Sequence, residues 1–380
     1  MITRRQLMLG GTTMLAGIGT RLESSPSQMK PGKEKTPLVH TTDLYHPPQD
    51  PDDHIDLATV VALQEFDLKG VILDATQRFL DAAPAGFDIS RDPGLVPVAQ
   101  LGYLLGRTIP AAVGPVTPLE SPDDAVAKRP LKEQGGVRLL LDILEDSPEP
   151  VVISVVGSAR VVTAAYNRNP QLVRAKTRTV LLNAGSTGGS KREWNVGLDP
   201  AAYIGLWSTG LPIDWYPCAT EGGAFNESHE RGTYWKTTHA QLFGELPQSL
   251  QSWFAYGLAG STRGDVVRAL EEGGNGDVWQ KLLPTSRNLW ATASLVMAAG
   301  RILVRTPAGW RFVRVEKSGG DEVWPWRLDP IDARVDGSGE VQWRLTEART
   351  NARLFGRRAG AGFGAAMAEA LHALLVAMKI

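Results

Sequence analysis

The chain has 380 residues, room for one large domain or two ordinary ones; 43% are apolar and 21% charged, a globular composition that supports a sizeable core. Forty Lys plus Arg against 41 Asp plus Glu leave a net charge of -1, which argues against nucleic acid or an anionic membrane as the main partner. One cysteine, Cys218, excludes an intrachain disulfide and any zinc site built on several cysteines.

The first segment reads as an address label. Arg4-Arg5, with Leu7 two positions on, precedes an apolar, Gly-rich stretch to about Ile18 and resembles a twin-arginine export signal. The stretch is short and diluted by Gly10, Gly11, Gly17 and Gly19, so export to the periplasm or beyond is expected rather than a spanning anchor. No clean Ala-x-Ala site follows. Membrane contact is then expected only through this segment, if it is left uncleaved. Residues 1–35 are read as signal plus a Ser-, Pro-, Lys- and Glu-rich linker, and residues 36–380 as the folded domain.

The body alternates short apolar runs with helical patterns. Leu38 to Thr42 reads as a strand ending in Asp43, and Asp56 to Leu63 as a helix with a buried face. Gly70 to Leu73 reads as a strand, Val96 to Leu105 as a helix, and Ala111 to Gly114 as a strand end. Gly135 to Leu144 is amphipathic. Val151 to Val156 is a mostly apolar run without alternation, the mark of a parallel strand covered on both faces. Val161 to Tyr166 suits a helix, and Thr179 to Leu182 and Leu211 to Trp215 further strands. From Ala219 to Gly276 the pattern is helical and aromatic. Residues 300–347 read as short strands, and residues 348–380 end in an Ala-rich helix. All 11 Trp lie beyond residue 190. The alternation predicts an α/β fold: a mostly parallel central sheet with helices on both faces, elaborated by helices and hairpins in that half. Ligands of such sheets bind beyond the C-terminal strand ends.

Five Asp fall within the fourteen residues from Asp43 to Asp56: Asp43, Asp50, Asp52, Asp53 and Asp56. Like charges this close repel unless a cation binds between them. Oxygen ligands without Cys select a hard cation, Ca²⁺ or Mg²⁺. Against this, Asp52 or Asp53 serves equally well as a helix cap, and Asp56 favours the positive end of the helix.

The order of segments carries a resemblance. Asp43, then Asp50-Pro51-Asp52-Asp53, stands where the inosine-uridine preferring nucleoside hydrolase family has Asp-x-Asp-Pro-Gly-x-Asp-Asp between its first strand and helix. Gly70 to Leu73 with Gln77, Ile109 to Leu119, Val151 to Gly157, Asn169 to Leu172, Thr179 to Gly185, and Glu193-Trp194-Asn195 through Asp199-Pro200 follow in family order. The resemblance covers about residues 36–218.

It implies a hydrolase that cleaves the N-glycosidic bond of a nucleoside or related ribosyl compound, with Ca²⁺ held by carboxylates and an Asp that takes the proton of the attacking water. Asp43, Asp50 and Asp53 become candidate metal ligands, with the main-chain carbonyl near Val156. Asp50 is the first choice as base because it precedes Pro51; Asp43 is the rival. Asp52, Gln77, Glu193 and Asn195 become candidates for the sugar hydroxyls.

The chain also departs from the family. The Gly of the acidic motif is absent. The family's late His-Asp pair, leaving-group acid and metal ligand, falls on Arg287-Asn288. Asn288 can still offer Ca²⁺ a carbonyl oxygen; Arg287 cannot act as an acid but can bind an anion. His229 and His239 are candidates to replace the acid, against a structural role. His46 and His54 flank the carboxylates, where a raised pKa is expected. Trp194, Trp235, Trp253 and Trp290 are candidates to stack on a ring, with core packing the default. Cys218 reads as a small buried residue. The missing pair keeps alternatives open: a hydrolase for another carbohydrate, or a sugar-binding protein on the same fold. The expected partner is a small nucleoside or sugar, and a homo-oligomer is compatible with the chain.

Overall fold

Seven strands of one sheet run parallel because strands and helices alternate along most of the chain, and each crossover helix covers a face of the sheet. The computed structural model describes residues 35–81, 90–188, 192–272, 276–319 and 322–380. The signal-and-linker assignment for residues 1–35 lies outside them, save Lys35. Lys35–Ile380 forms one compact unit. Among the described residues no helix is long and apolar enough to cross a membrane.

The strands in chain order are β1 (Thr36–Thr42), β2 (Phe66–Leu73), β3 (Ala111–Val113), β4 (Val151–Val156), β5 (Thr177–Asn183), β6 (Ile213–Trp215), β7 (Trp235–Thr238) and β8 (Ser286–Leu289). Then come β9 (Arg301–Thr306), β10 (Gly309–Arg314), β11 (Glu322–Trp324), β12 (Trp326–Val335), β13 (Val341–Leu345) and β14 (Ala352–Arg357). The main sheet has the order β13-β12-β14-β6-β5-β4-β1-β2-β3. From β14 to β3 every pairing is parallel, while β12 and β13 add an antiparallel hairpin at one edge. Antiparallel β10-β9-β11 and β7-β8 form two smaller sheets.

Side chains of a strand alternate between faces, and here each face has its own core. Leu38 packs with Ile55, Leu57, Phe254, Phe363 and Leu371 on one side. Its neighbour Val39 packs with Val137, Leu140, Val161 and Leu206 on the other. All six residues of β4 are buried, as its unbroken apolar run predicts.

Two segments differ from the sequence pattern. β14 lies inside the stretch read as leading only to a helix; Arg353 and Arg357 make it look like surface loop, yet Arg353 pairs with Asp214 on β6 at 2.7 and 2.8 Å. Residues 219–234 are turns rather than helix, and β7 follows them. Trp235 alternates inward there, fully buried.

Candidate functional site

The register of the parallel strands sets the site. Thr42 is level with Leu73 on one side and with Val156 on the other, and Val156 is level with Asn183. The residues just past these ends, Asp43, Asp74 and Gly157, are therefore brought side by side at the C-terminal edge. Gly157 has φ +117°, and a Cβ there would stand 3.0 Å from Asp74 Oδ2 and 3.1 Å from Asp43 Oδ1. A glycine is what lets both carboxylates close in.

Helix α1 (Asp52–Ala62) leaves the acidic loop with nearly all its residues buried. It starts without a side-chain cap, so neither Asp52 nor Asp53 is used as one. Asp53 instead accepts the Thr42 hydroxyl at 2.7 Å, tying the helix to the end of β1. A cavity of about 790 Å³ opens above the strand ends. Asp43, Asp50, Asp52, Asp53 and Asp56 line one part of it; Val156, Asn183, Glu193 and Asn195 line another. Trp194, Phe225 and Trp290 form aromatic walls, Trp194 and Phe225 being exposed.

The electrostatics are those of crowded, buried acids. Burial pushes Asp43 well above the usual carboxylate range, and the charge of Asp74 adds to it. Burial does the same to Asp52, followed by Asp50 and Asp53. Asp53 is raised by burial and by Asp43, against the lowering from the Thr42 hydroxyl. Asp56 is pushed up to about 8, by burial first and then by Asp50. Arg287 Nη1 lies 3.7 Å from Asp50 Oδ1, so the acidic loop has one fixed cation beside it.

Beneath the cavity floor lies a buried network. Asp74 accepts from the Ser158 backbone N–H at 2.6 Å and hydroxyl at 2.8 Å. Arg160 reaches Asp74 at 3.7 Å and Asp199 at 2.9 Å. Asp199 in turn accepts the Leu119 and Ala202 N–H groups. Asp74 stays raised because burial outweighs these partners.

Of the residues singled out from sequence, Asp43, Asp50, Asp52, Asp53, Val156, Glu193 and Asn195 come together around this cavity. Two do not. Gln77 opens a short exposed helix, Gln77–Leu80, and its amide donates to Asp81 at 2.9 and 3.0 Å. Asp74, directly after β2, holds the strand-end position instead. Asn288 sits within β8, where alternation turns it to the Tyr234 hydroxyl; its Oδ1 accepts that bond at 2.9 Å and is not among the cavity-lining atoms. Trp290 and Ala291, just beyond, do line the cavity.

Glu193 is already engaged. It accepts the N–H groups of Gly185, Asn195 and Val196 at 2.8, 3.0 and 3.2 Å and caps the helix Trp194–Leu198. Asn195 donates to the Asn183 carbonyl at 2.9 Å.

The histidines are structural or peripheral. His239 is buried, bonded to the Leu282 carbonyl at 3.1 Å and taking the Arg287 Nε–H at 3.0 Å on its Nε2. His229 pairs with Glu221 at 2.9 Å. The raised pKa expected of His46 and His54 is not found: burial lowers both, His54 to about 3. Desolvation there outweighs any nearby carboxylate. Trp235 and Trp253 are core residues. Cys218 is buried and also lines the cavity; burial and then Glu193 push its thiol well up, which keeps it protonated and unreactive.

Asp74, beneath the cavity floor, and Asn183, on its wall, were not picked from sequence, and Asp56 was counted there only as part of the acidic cluster. Asp74 follows a buried strand directly, a position at which any carboxylate reaches the ligand edge. Asp56 falls four residues after Asp52, hence on the same helix face. Asn183 ends β5. Its Nδ2 donates to two carbonyls, Val155 at 3.1 Å and Leu181 at 3.3 Å, which leaves Oδ1 without a partner.

The donor set is all oxygen, and both oxygens of Asp56 and Oδ1 of Asn183 are buried without hydrogen-bond partners. That chemistry fits a hard divalent cation. Among the described residues no three His, Cys, Asp or Glu side chains are already gathered as an ion cage.

No protein-family model matches the chain. It is 27% identical over 183 residues to the pyrimidine-specific ribonucleoside hydrolase RihA of Citrobacter koseri, covering 43% of this chain and 55% of that protein. The RihA of an Enterobacter species is 29% identical over 197 residues, 47% of this chain and 58% of that one. The chain thus spans a little over half the length of the curated relatives it matches. A plant nucleoside hydrolase structure superposes with a TM-score of 0.51 at 14% identity, over 90% of this chain and all of that one. The fold is that of the nucleoside hydrolases, and in sequence the chain is a distant relative of ribonucleoside hydrolases.

Proposed function

We propose that the protein hydrolyses the N-glycosidic bond of nucleosides or closely related ribosyl compounds. The observation that carries this reading is the meeting of Asp43, Asp50, Asp52 and Asp53 with the Val156 carbonyl region at the C-terminal strand ends of a nucleoside hydrolase fold. Sequence similarity to ribonucleoside hydrolases supports it.

Asp43, Asp53 and the Val156 carbonyl would hold Ca²⁺, with Asp50 beside them. When bound, the ion would polarise sugar hydroxyls and a water molecule. Asp50 is the better base. Its side chain is 47% exposed and so reaches solvent water, while Asp43 is buried and favours its protonated form. Asp52 and Asn195 offer hydrogen bonds to sugar hydroxyls. Glu193 acts first as the clamp on the Gly185 turn and the following helix, which places Asn195. Trp290 and Trp194 offer faces for the base. The opening twin-arginine-type segment supports action outside the cytoplasm.

The test is turnover by the purified protein of uridine, cytidine, inosine and simple glycosides, with and without a chelator, read as free base and reducing sugar. Calcium-restored release from nucleosides, lost roughly 100- to 10,000-fold in Asp50→Asn, is the expected result. Release from other glycosides alone, or sugar binding without release, would overturn it.

A further inference from the structure

Asp56 is a carboxylate with nothing to do in the fold. It is fully buried, lines the cavity, and neither of its oxygens has a hydrogen-bond partner. It is the fifth residue of α1, beyond the first turn where a negative charge gains most from the helix end. Around it the helix is apolar: Ile55, Leu57, Ala58 and Val60 are all core residues. Burying an unpaired carboxylate is costly, and an alanine there would serve the packing better.

A second, independent oxygen faces the same cavity. Asn183 is buried, and its amide nitrogen is fixed by the Val155 and Leu181 carbonyls. Its Oδ1 is left unpartnered at the cavity wall. Asn288, the expected late oxygen donor, is bonded to Tyr234 and does not reach. The chain therefore lacks a donor from its C-terminal half and has two surplus oxygen donors from its N-terminal half.

We propose that Asp56 is a cation ligand of this cavity, with Asn183 Oδ1 as a neutral donor, in place of the late residue that points away. The inference rests on the divalent-cation part of the function proposed above. It places the ion against α1, using one helix face for Asp52 and Asp56, while Asp53, next after Asp52, ties the helix to β1. The ligand class is a bare hard cation, Ca²⁺ first.

The experiment is calorimetric titration of the full chain with calcium chloride, together with thermal melting with and without calcium, for wild type, Asp56→Asn, Asp56→Ala and Asp53→Asn. Loss of outer-shell groups at metal sites weakens binding roughly 10- to 100-fold, so loss of a direct ligand should cost at least that. The expected result is calcium affinity at least roughly tenfold weaker in both Asp56 variants. Their melting temperature without calcium should hold or rise, because a buried carboxyl without hydrogen-bond partners has gone. Wild-type calcium affinity in the Asp56 variants, with affinity lost in Asp53→Asn, would overturn the role of Asp56 and leave the proposed function standing. A lower melting temperature with unchanged affinity would mark Asp56 as structural and overturn it likewise. No calcium binding by wild type would remove the cation from both readings.

Discussion

Arg160 and Asp199 form an ion pair that solvent does not reach, with Nε 2.9 Å from Oδ2. Arg160 also donates to the carbonyls of Ala75, Pro115 and Leu198, so one guanidinium ties together the loops after β2 and β3 and the start of the helix Pro200–Ser208. Removing one partner of a buried pair strands the other charge. Arg160→Met should lower unfolding free energy by about 3–5 kcal/mol, measured by chemical denaturation. A change below about 1 kcal/mol would mean that the pair is not the keystone of this edge.

Gly157 is a tight point of the site. Its φ of +117° is strained for any other residue, and a Cβ would press on both Asp43 and Asp74. Gly157→Ala should cost about 1–3 kcal/mol of stability and weaken calcium binding by pushing Asp43 aside. Melting and calorimetry of the same sample check both effects.

Trp290 packs against Phe225 and Tyr234, with ring centroids 5.7 and 5.4 Å away, and lines the cavity. A base stacked on an aromatic ring gains about 1–3 kcal/mol, which is roughly 5- to 150-fold in kcat/KM. Trp290→Leu should lose that much against nucleosides while calcium affinity stays at the wild-type value. Steady-state kinetics on uridine and inosine decide it.

Burial lowers His40 from 6.5 to about 4 and His239 likewise, the latter also through Arg287. The unfolded chain takes up these protons near pH 6.5, whereas the folded chain resists until about pH 4. Stability contributed by keeping them neutral is therefore full above about pH 6.5 and is lost as pH falls toward 4. The histidines pull the melting temperature down across that window, while Asp43, Asp52, Asp53 and Asp56, whose buried carboxyls are raised, push it up as they hold their protons, so the histidine part is read as a difference between variants. His40→Asn should lose less stability than wild type as pH falls from about 6.5 to 4, and an identical pH profile would rule His40 out as a source.

The strand ends were readable because unbroken apolar runs mark buried parallel strands, and Asp43 and Asp53 stand at a strand end and a helix start. Glu193 was readable from its flanking residues, but its engagement was not. Three backbone N–H groups converge on it only after the Gly185 turn and the next helix fold together. Gln77 lies away from the cavity, on a short helix that begins three residues after Asp74, because the run Gly70 to Leu73 does not say how soon the chain turns away. Asn288 was placed by linear spacing, which is blind to the alternation of β8. Asp56 looked like one more charge near a helix start; only its burial and its lack of partners separate it from a solvated one.

The last helix, Phe363–Val376, packs against α1, and β14 before it is the strand that joins β6 to the β12–β13 hairpin. A chain without β14 and this helix would carry Asp52, Asp53 and Asp56 on an α1 whose rear is bare. The cavity can hold its shape only once residues 352–376 are in place, and fragments lacking them should be inert however intact their motifs.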